Sequence, residues 1–208
     1  MATEIELKLS IVGGQRDEHL LRLKAGLKVL NVSEEFKLAV LKNAYYDSVS
    51  WQLNALKVAL RIREKTAADG EVIYIQTLKT KGSSVDGLSQ RGEWEWHLPV
   101  NKLNIAALGE NEAWPQQVAL DSLITVFETN FTRHALEFTW NNSQIELALD
   151  QGYILSQGKQ AQINEIELEL KSGKVSDLHI LRVELQKIMP LEPSDISKAE
   201  RGYQLFHA

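Results

Sequence analysis

The chain has 208 residues, enough to bury a sizeable core, and its 28 acidic and 23 basic residues leave a formal net charge of −5. This balance argues against a nucleic-acid or membrane partner, and the absence of cysteine excludes disulfides and thiolate metal sites. The amino terminus lacks the pattern of a secretory signal, and no stretch approaches the ~20 apolar residues of a membrane span. We therefore expect a cytoplasmic protein.

Alternating polar and apolar residues dominate the chain and predict β-strands, because successive side chains of a strand point to opposite faces. The predicted strands span residues 4–12, 44–48, 57–64, 71–79, 91–98, 130–140, 143–149 and 164–171. Asn141-Asn142 predicts a tight hairpin between the sixth and seventh strands, since asparagine tolerates a positive φ. Polar, glycine-bearing stretches at 65–70 and 81–90 are consistent with further hairpins.

Apolar residues at helical spacing predict helices between these strands. The predicted helices span residues 15–29, 114–127 and 176–189, and Pro193-Ser194 is expected to open a short last helix. No repeat, low-complexity segment or linker interrupts this pattern, so a single domain over residues 1–208 is the simplest organisation.

The first strand places Glu4, Glu6 and Lys8 on one face and apolar residues on the other. Two carboxylates on one face suit a hard divalent cation, and a neighbouring lysine suits a phosphate. Taken alone, the segment is more typical of a strand with one solvent-facing side.

Repetition of this pattern favours a different interpretation. The polar faces of the other strands concentrate arginine and carboxylate at Arg61, Arg63, Lys79, Arg91, Glu93, Glu95, Arg133, Glu146, Asp150, Glu165, Glu167 and Glu169. If eight antiparallel strands close into a barrel, the apolar faces can lie outside under the helices while the charged faces line a water-filled lumen. The predicted fold is therefore α+β, a closed eight-stranded antiparallel β-barrel with a charged lumen, in which cations and a polyanion would neutralise the wall.

Several ordered sequence blocks resemble the CYTH superfamily, whose members are also called triphosphate tunnel metalloenzymes. The blocks are Glu4-x-Glu6-x-Lys8, Tyr46-Asp47, Leu60-Arg61-Ile62-Arg63, Thr77-Leu78-Lys79, Gln90-Arg91-Gly92-Glu93, Glu146-x-Ala148-Leu149-Asp150, Glu165-x-Glu167-x-Glu169 and Ser197-Lys198-x-x-Arg201-Gly202-Tyr203. The blocks at 144–152 and 198–203 are most similar to bacterial inorganic triphosphatases, which often have a helical CHAD domain after the tunnel domain. Since the sequence ends at Ala208, we expect a CYTH domain without a CHAD domain.

The resemblance implies metal-dependent hydrolysis of a small triphosphate, with inorganic tripolyphosphate giving pyrophosphate and phosphate. It implies oxygen ligands for one or two Mg²⁺ or Mn²⁺ ions at Glu4, Glu6, Asp150, Glu165 and Glu167. It implies a phosphate clamp made of Lys8, Arg61, Arg63, Lys79, Arg91, Arg133 and Arg201. Catalytic roles fall to Lys198, at one mouth of the tunnel, and to Glu93, which would orient Lys198 or a water, while Glu169 would pair with a tunnel arginine. A cross-strand ion pair is the alternative role for each of these residues.

Other functions stay open beside this one. A class IV adenylate cyclase uses the same fold and opening motif, thiamine triphosphatase has similar metal needs, and a non-catalytic polyphosphate-binding module would need fewer carboxylates. The scattered histidines do not predict a zinc site. Tyr45 and Tyr46 are adjacent, so only one can face the tunnel, and the motif favours Tyr46 as a structural residue. The family implies a monomer or a homodimer.

Overall fold

A computed structural model describes residues 2–207 and contains a closed barrel of eight antiparallel strands. The barrel strands are β1 (Ala2–Ile11), β2 (Lys37–Ser48), β3 (Ala59–Ala67), β4 (Val72–Lys79), β6 (Leu88–Leu98), β7 (Leu123–Trp140), β8 (Ser143–Ser156) and β9 (Lys159–Ser172). They follow the order β1-β9-β8-β7-β2-β3-β4-β6, and pairing of β1 with β6 closes the ring. Two short strands, β5 (Ser83–Val85) and β10 (Leu191–Pro193), pair with β6 and β1. The predicted fold class is confirmed.

Helices cover the outer surface of this barrel and one of its ends. They are α1 (Arg16–Val29), α2 (Gln52–Ala55), α3 (Ile105–Gly109), α4 (Val175–Ile188) and α5 (Lys198–His207). Leucines of α1 and α4 pack on the apolar outer faces of β1, β7, β8 and β9 in the largest core cluster. The apolar strand faces thus lie outside the ring, as the alternation predicts, because the helices remove them from water.

Most strands are longer than the sequence pattern indicated. In the second predicted strand, pairing with β3 and β7 extends the ladder back from Ala44 to Lys37. The predicted hairpin at Asn141-Asn142 is confirmed: it joins β7 to β8, and Asn141 has a φ of 53°.

The helix predicted over residues 114–127 is wrong. Strand β7 begins at Leu123, and only a 3-10 turn at Leu120–Ser122 precedes it. The indole N–H of Trp114 donates to the carbonyl of Val118 (3.2 Å), and both residues pack over the outside of β3 and β4. Their apolar spacing therefore reflects docking on the barrel, while the β-branched run that follows pairs with β2.

The last helix also begins later than predicted. Pro193 ends β10, paired with Leu9, and α5 starts only at Lys198. The Ser197 hydroxyl accepts from the Glu200 backbone N–H (3.1 Å), and the Glu200 carboxylate accepts from the Ser197 N–H (2.9 Å). This reciprocal capping box fixes the start of α5 and the position of Lys198.

Within residues 2–207, every helix is too short or too polar to cross a membrane.

Candidate active site

A cavity of about 790 Å³ occupies the barrel interior and is lined by the charged inner faces of the strands. Most of the predicted site residues share its wall: Glu4, Glu6, Lys8, Arg61, Arg63, Lys79, Arg91, Glu93, Arg133, Glu167 and Lys198. The alternation thus brings together side chains from strands far apart in sequence, because closure turns one face of each strand inward.

Asp150, Glu165 and Arg201 do not line this cavity. Asp150 and Glu165 are almost completely buried. Arg201 donates to Glu165 (2.6 Å) and to the Gln162 carbonyl, so it is committed to the support of the wall.

Lys198 lies at the centre of an ionic network. Its ammonium is 2.7 Å from both Asp150 and Glu167 and also contacts Glu165. Burial alone would lower the pKa of Lys198, but these three carboxylates raise it above its usual range. The acids stabilise a charged lysine that would otherwise be costly to bury.

Arg133 joins the same network from β7. Its guanidinium donates two hydrogen bonds to Asp150 (2.7 Å each) and one to Glu167 (2.5 Å). Burial would raise the pKa of Glu167, but Lys198 and Arg133 hold it well below the usual range of a carboxyl group. Glu167 therefore remains ionised at the cavity wall.

A second ionic group links β1, β4 and β6. The Glu4 carboxylate accepts hydrogen bonds from Lys79 (2.7 Å) and Arg91 (2.8 Å). Burial would raise the pKa of Glu4, but these two cations lower it below its usual range. Glu93 pairs with Lys79 at 3.0 Å, whereas Lys198 makes its ion pairs with acids of β8 and β9.

Glu6 differs from its neighbours. Its side chain lines the cavity with 6% of the residue exposed, and among the described residues no lysine or arginine lies within ion-pair distance. Burial and the negative charges of Glu167 and Glu4 raise the pKa of Glu6 to about 7. Lys8 and Arg91 oppose this rise only in part, so Glu6 is a buried carboxylate without a salt-bridge partner within residues 2–207.

Arg61 and Arg63 show the opposite imbalance on the far wall. The Arg63 Nε donates to the Asn43 side-chain oxygen (2.8 Å), a neutral acceptor, and the buried Arg61 Nε has no hydrogen-bond partner among the described residues. Burial and the nearby charges of Arg61 and Arg133 lower the pKa of Arg63 to about 9, so it keeps its charge at neutral pH. In the part of the chain that the structure describes, neither arginine forms a salt bridge with a carboxylate, so this wall presents positive charge to the cavity.

The outer part of the cavity is more acidic. Glu146 lies opposite Glu137 on one side and Glu169 on the other in the strand ladders. Glu169 was predicted to pair with an arginine of the tunnel. Its ion-pair partner is instead Lys171 of the same strand, at 2.8 Å.

Helix α5 is held against the other end of the barrel. Tyr203 donates to the buried Asp47 carboxylate (2.9 Å), which also accepts from backbone N–H groups of Leu53 and Asn54. Gly202 lies against the Phe127 ring, where a β-carbon would clash. These contacts position Lys198 over the acids of β8 and β9.

Sequence reasoning missed two residues of the cavity region. Asn43 orients Arg63, and Tyr45 lines the cavity while Tyr46 packs outside. Extending the alternation of β2 back to Lys37 would have placed Asn43 and Tyr45 on the inner face. A register shift at Tyr45/Tyr46 interrupts the period there.

The donor chemistry fits a hard divalent cation near Glu6. One oxygen each from Asp150, Glu165 and Glu167 lies within 4.8 Å of the others, but the Lys198 ammonium already contacts all three. Glu6, by contrast, is buried near two further carboxylates, Glu4 and Glu167, and has no salt-bridge partner in the described part of the chain. Carboxylate oxygens are the ligands that Mg²⁺ and Mn²⁺ prefer.

Comparison with known proteins agrees with this architecture. An inorganic triphosphatase from Haemophilus influenzae is 35% identical over 213 residues, an alignment that covers 99% of this chain and 55% of that protein, so the chain spans about half the length of this relative. A solved Hippeastrum structure, described as an adenylyl cyclase candidate with a dominant triphosphatase activity, matches with a TM-score of 0.68 and 19% identity over 97% of this chain and 95% of its own.

A Pyrococcus horikoshii protein matches with a TM-score of 0.59 and 18% identity over 97% of this chain and 98% of its own. Both structural likenesses show the shared fold. The family model described as the CYTH domain matches residues 2–203. Because that match spans nearly all of the sequence, the chain belongs to the CYTH domain family.

Proposed function

We propose that this protein is a metal-dependent triphosphatase that hydrolyses inorganic tripolyphosphate to pyrophosphate and phosphate. The observation that supports this most is the charge imbalance of the enclosed lumen. Among residues 2–207, Arg61 and Arg63 form a cationic wall without carboxylate salt-bridge partners, and Glu6 is a buried carboxylate without a salt-bridge partner. A polyanion together with a divalent cation would correct both imbalances at once.

The cationic wall suits a chain of phosphates. A guanidinium presents paired N–H donors that match two phosphate oxygens, and Arg61 and Arg63 lie two residues apart on the same face of β3. Lys8, Lys79, Arg91 and Arg133 extend the cationic lining around the same cavity. We assign these six residues to substrate binding and Arg201 to the support of Glu165.

The lining favours an inorganic substrate over a nucleotide. Among the cavity-lining residues that the structure describes, Tyr45 contributes the one aromatic ring, and that ring is already stacked on Phe127. A purine or a thiamine ring would need an exposed aromatic or apolar surface. The charged wall offers hydrogen-bond donors for phosphate instead.

Glu6, together with Glu4 and Glu167, would hold the metal ion. When bound, a divalent cation supplies charge neutralisation at phosphate oxygens and lowers the pKa of an attacking water. Asp150 and Glu165 would keep Lys198 charged and in place, and Lys198 would stabilise negative charge on the phosphoryl group. Glu93 would hold Lys79 toward the substrate.

The first experiment is a substrate comparison. The protein is incubated with tripolyphosphate, ATP or thiamine triphosphate, with Mg²⁺ or Mn²⁺ and with a chelator. We expect pyrophosphate and phosphate in equal amounts from tripolyphosphate, and no turnover with the chelator. Cyclic AMP as the main product from ATP, or a wide preference for thiamine triphosphate, would overturn the proposal.

The second experiment tests the cationic wall. Arg63→Gln removes one guanidinium and should reduce kcat/KM for tripolyphosphate at least 100-fold, since a charge-assisted bidentate contact contributes about 3 kcal/mol or more. Arg22→Gln, on the exposed face of α1, is the matched control and should leave kcat/KM within about twofold. Equal activity of the two variants would remove Arg63 from the site.

A further inference from the structure

Two adjacent tyrosines of β2 occupy opposite sides of the barrel wall. Tyr45 lines the cavity and is only 4% exposed, whereas Tyr46 packs against the outer cluster around Leu53 and Leu60. Two tyrosine side chains at consecutive positions therefore have different environments. Only Tyr45 can contact a molecule in the lumen.

Packing fixes the position of the Tyr45 ring. It stacks on the Phe127 ring with centroids 4.6 Å apart and planes at 19°, and Tyr203 of α5 contacts Phe127 edge-on, with centroids 5.1 Å apart. A ring held in this way loses little further freedom when a ligand binds, so its hydroxyl is preorganised.

The phenol lies among positive charges. Arg61 is directly opposite Tyr45 in the β2–β3 ladder, and Arg63 and Lys198 also act on the phenol. Burial alone would raise the pKa of Tyr45, but these cations outweigh burial and lower it. A phenol polarised in this direction is a stronger hydrogen-bond donor.

A neutral donor has a specific advantage on this wall. The pKa of Arg63 is already lowered to about 9 by burial and by Arg61 and Arg133, so another cation there would be costly. A phenolic hydroxyl adds a donor to the anion site without adding charge. Asp47, the acid two residues along the strand, already accepts from Tyr203 and is not available to Tyr45.

We propose that Tyr45 is a substrate-contacting residue whose hydroxyl donates a hydrogen bond to a phosphate oxygen of the bound triphosphate, between Arg61 and Lys198. This inference rests on the proposed function, because it assigns the phosphate to the cationic wall. Tyr45 thereby adds an uncharged hydrogen-bond donor to the phosphate contacts of Arg61 and Lys198.

The test compares Tyr45→Phe with Tyr46→Phe, which remove the same hydroxyl on the two sides of the wall. Tyr45→Phe keeps the stacked ring, so the fold should be retained, as checked by circular dichroism and the thermal midpoint. We expect kcat/KM for tripolyphosphate to fall about 10- to 100-fold in Tyr45→Phe, the range for a hydrogen bond to a charged group. Tyr46→Phe should remain within about twofold of the wild type.

Two further measurements separate contact with the substrate from a structural role. The Mg²⁺ concentration for half-maximal activity should not change in Tyr45→Phe, since none of the hydrogen bonds within residues 2–207 joins the phenol to Glu4, Glu6 or Glu167. Calorimetric binding of tripolyphosphate without metal should weaken about 10-fold or more in Tyr45→Phe and not in Tyr46→Phe. Wild-type kcat/KM and binding in Tyr45→Phe, or equal losses in both variants, would overturn the proposal.

The binding measurement also separates this inference from the proposed function. If the wild type binds tripolyphosphate but does not hydrolyse it, the proposed activity fails. Selective loss of binding in Tyr45→Phe would still support the contact. Unchanged binding in that variant would reject the contact whether or not the wild type is active.

Discussion

Glu6→Gln should stabilise the metal-free protein at alkaline pH. Glutamine has nearly the shape of glutamate but no charge, and Glu6 is buried near Glu4 and Glu167 with no salt-bridge partner among the described residues. Burying an unpaired charge raises the free energy of the folded state but not that of the unfolded state, so removing the charge stabilises the fold. The direction is unusual, since most substitutions in a buried site destabilise.

The magnitude and its pH dependence follow from the pKa of Glu6, which is raised from 4.5 to about 7. Each pKa unit corresponds to about 1.36 kcal/mol, so ionised Glu6 costs about 3 kcal/mol above pH 7. Because the folded state binds this proton more tightly, the cost is absent below pH 4.5 and grows as pH rises from there to about 7. Glu6→Gln should therefore add about 3 kcal/mol to the free energy of unfolding at pH 8.5 and less than about 1 kcal/mol at pH 5.

Urea unfolding in the presence of a chelator measures both values. Glu137→Gln, at an exposed lumen position, is the matched control and should stay within about 0.5 kcal/mol of the wild type at both pH values. If Glu6→Gln is no more stable than the wild type at pH 8.5, Glu6 is not an uncompensated buried carboxylate and the assignment of the metal ion to it loses its basis.

Adding a divalent cation should make the wild type more stable than Glu6→Gln, the reverse of the order expected without metal. Mg²⁺ or Mn²⁺ that binds only the folded state stabilises the wild type by an amount that grows with concentration, about 2.7 kcal/mol at 100 times Kd. Glu6→Gln lacks the ligand and should gain much less. An equal gain in both proteins would place the ion elsewhere.

Three further substitutions test the supports of the site. Lys198→Met leaves Asp150 and Glu165 buried without their ammonium and should lower the free energy of unfolding by about 3–5 kcal/mol at pH 7.5; a loss under about 1 kcal/mol would contradict the network. Tyr203→Phe removes the donor to buried Asp47 and should cost about 1–3 kcal/mol in urea unfolding, against little change for Tyr74→Phe on the outer face of β4. Gly202→Ala forces a methyl group against the Phe127 ring and should lower the thermal midpoint, with an unchanged midpoint refuting the close packing of α5.

The division of each strand into a charged and an apolar face could be predicted from the sequence, because it depends only on the two-residue period of an extended chain. That period placed Glu4, Arg61 and Glu167 on inner faces, and the structure places all three on the cavity wall. The spacing of apolar residues gave a wrong prediction where the same residues are compatible with two different structures. Residues 114–127 have apolar residues at helical intervals, yet they dock on the barrel and then enter β7, because pairing with β2 outweighs local spacing.

Which acid pairs with which lysine or arginine could not be predicted from the alternation of the sequence. An ion pair needs atoms within about 4 Å, and its partners here come from distant segments: Lys79 contacts Glu4, and Lys198 contacts Glu167. The residue types alone make every acid an equal candidate for metal ligation. Only the closed barrel shows that Glu4 and Glu167 have cationic partners whereas Glu6, among the described residues, has none within ion-pair distance, and this makes Glu6 the acid around which we propose that the metal ion binds.

The sequence by itself determined most of the side chains that enter the lumen, since these follow from the local alternation and from the apolar faces that helices must cover. Tertiary structure alone decided which charges remain uncompensated, because closure of β1 on β6 and the docking of α5 set every distance between strands. Among the described residues, those distances leave Glu6, Arg61 and Arg63 without a salt-bridge partner of opposite charge. They also turn Tyr45, and not Tyr46, toward the cationic wall.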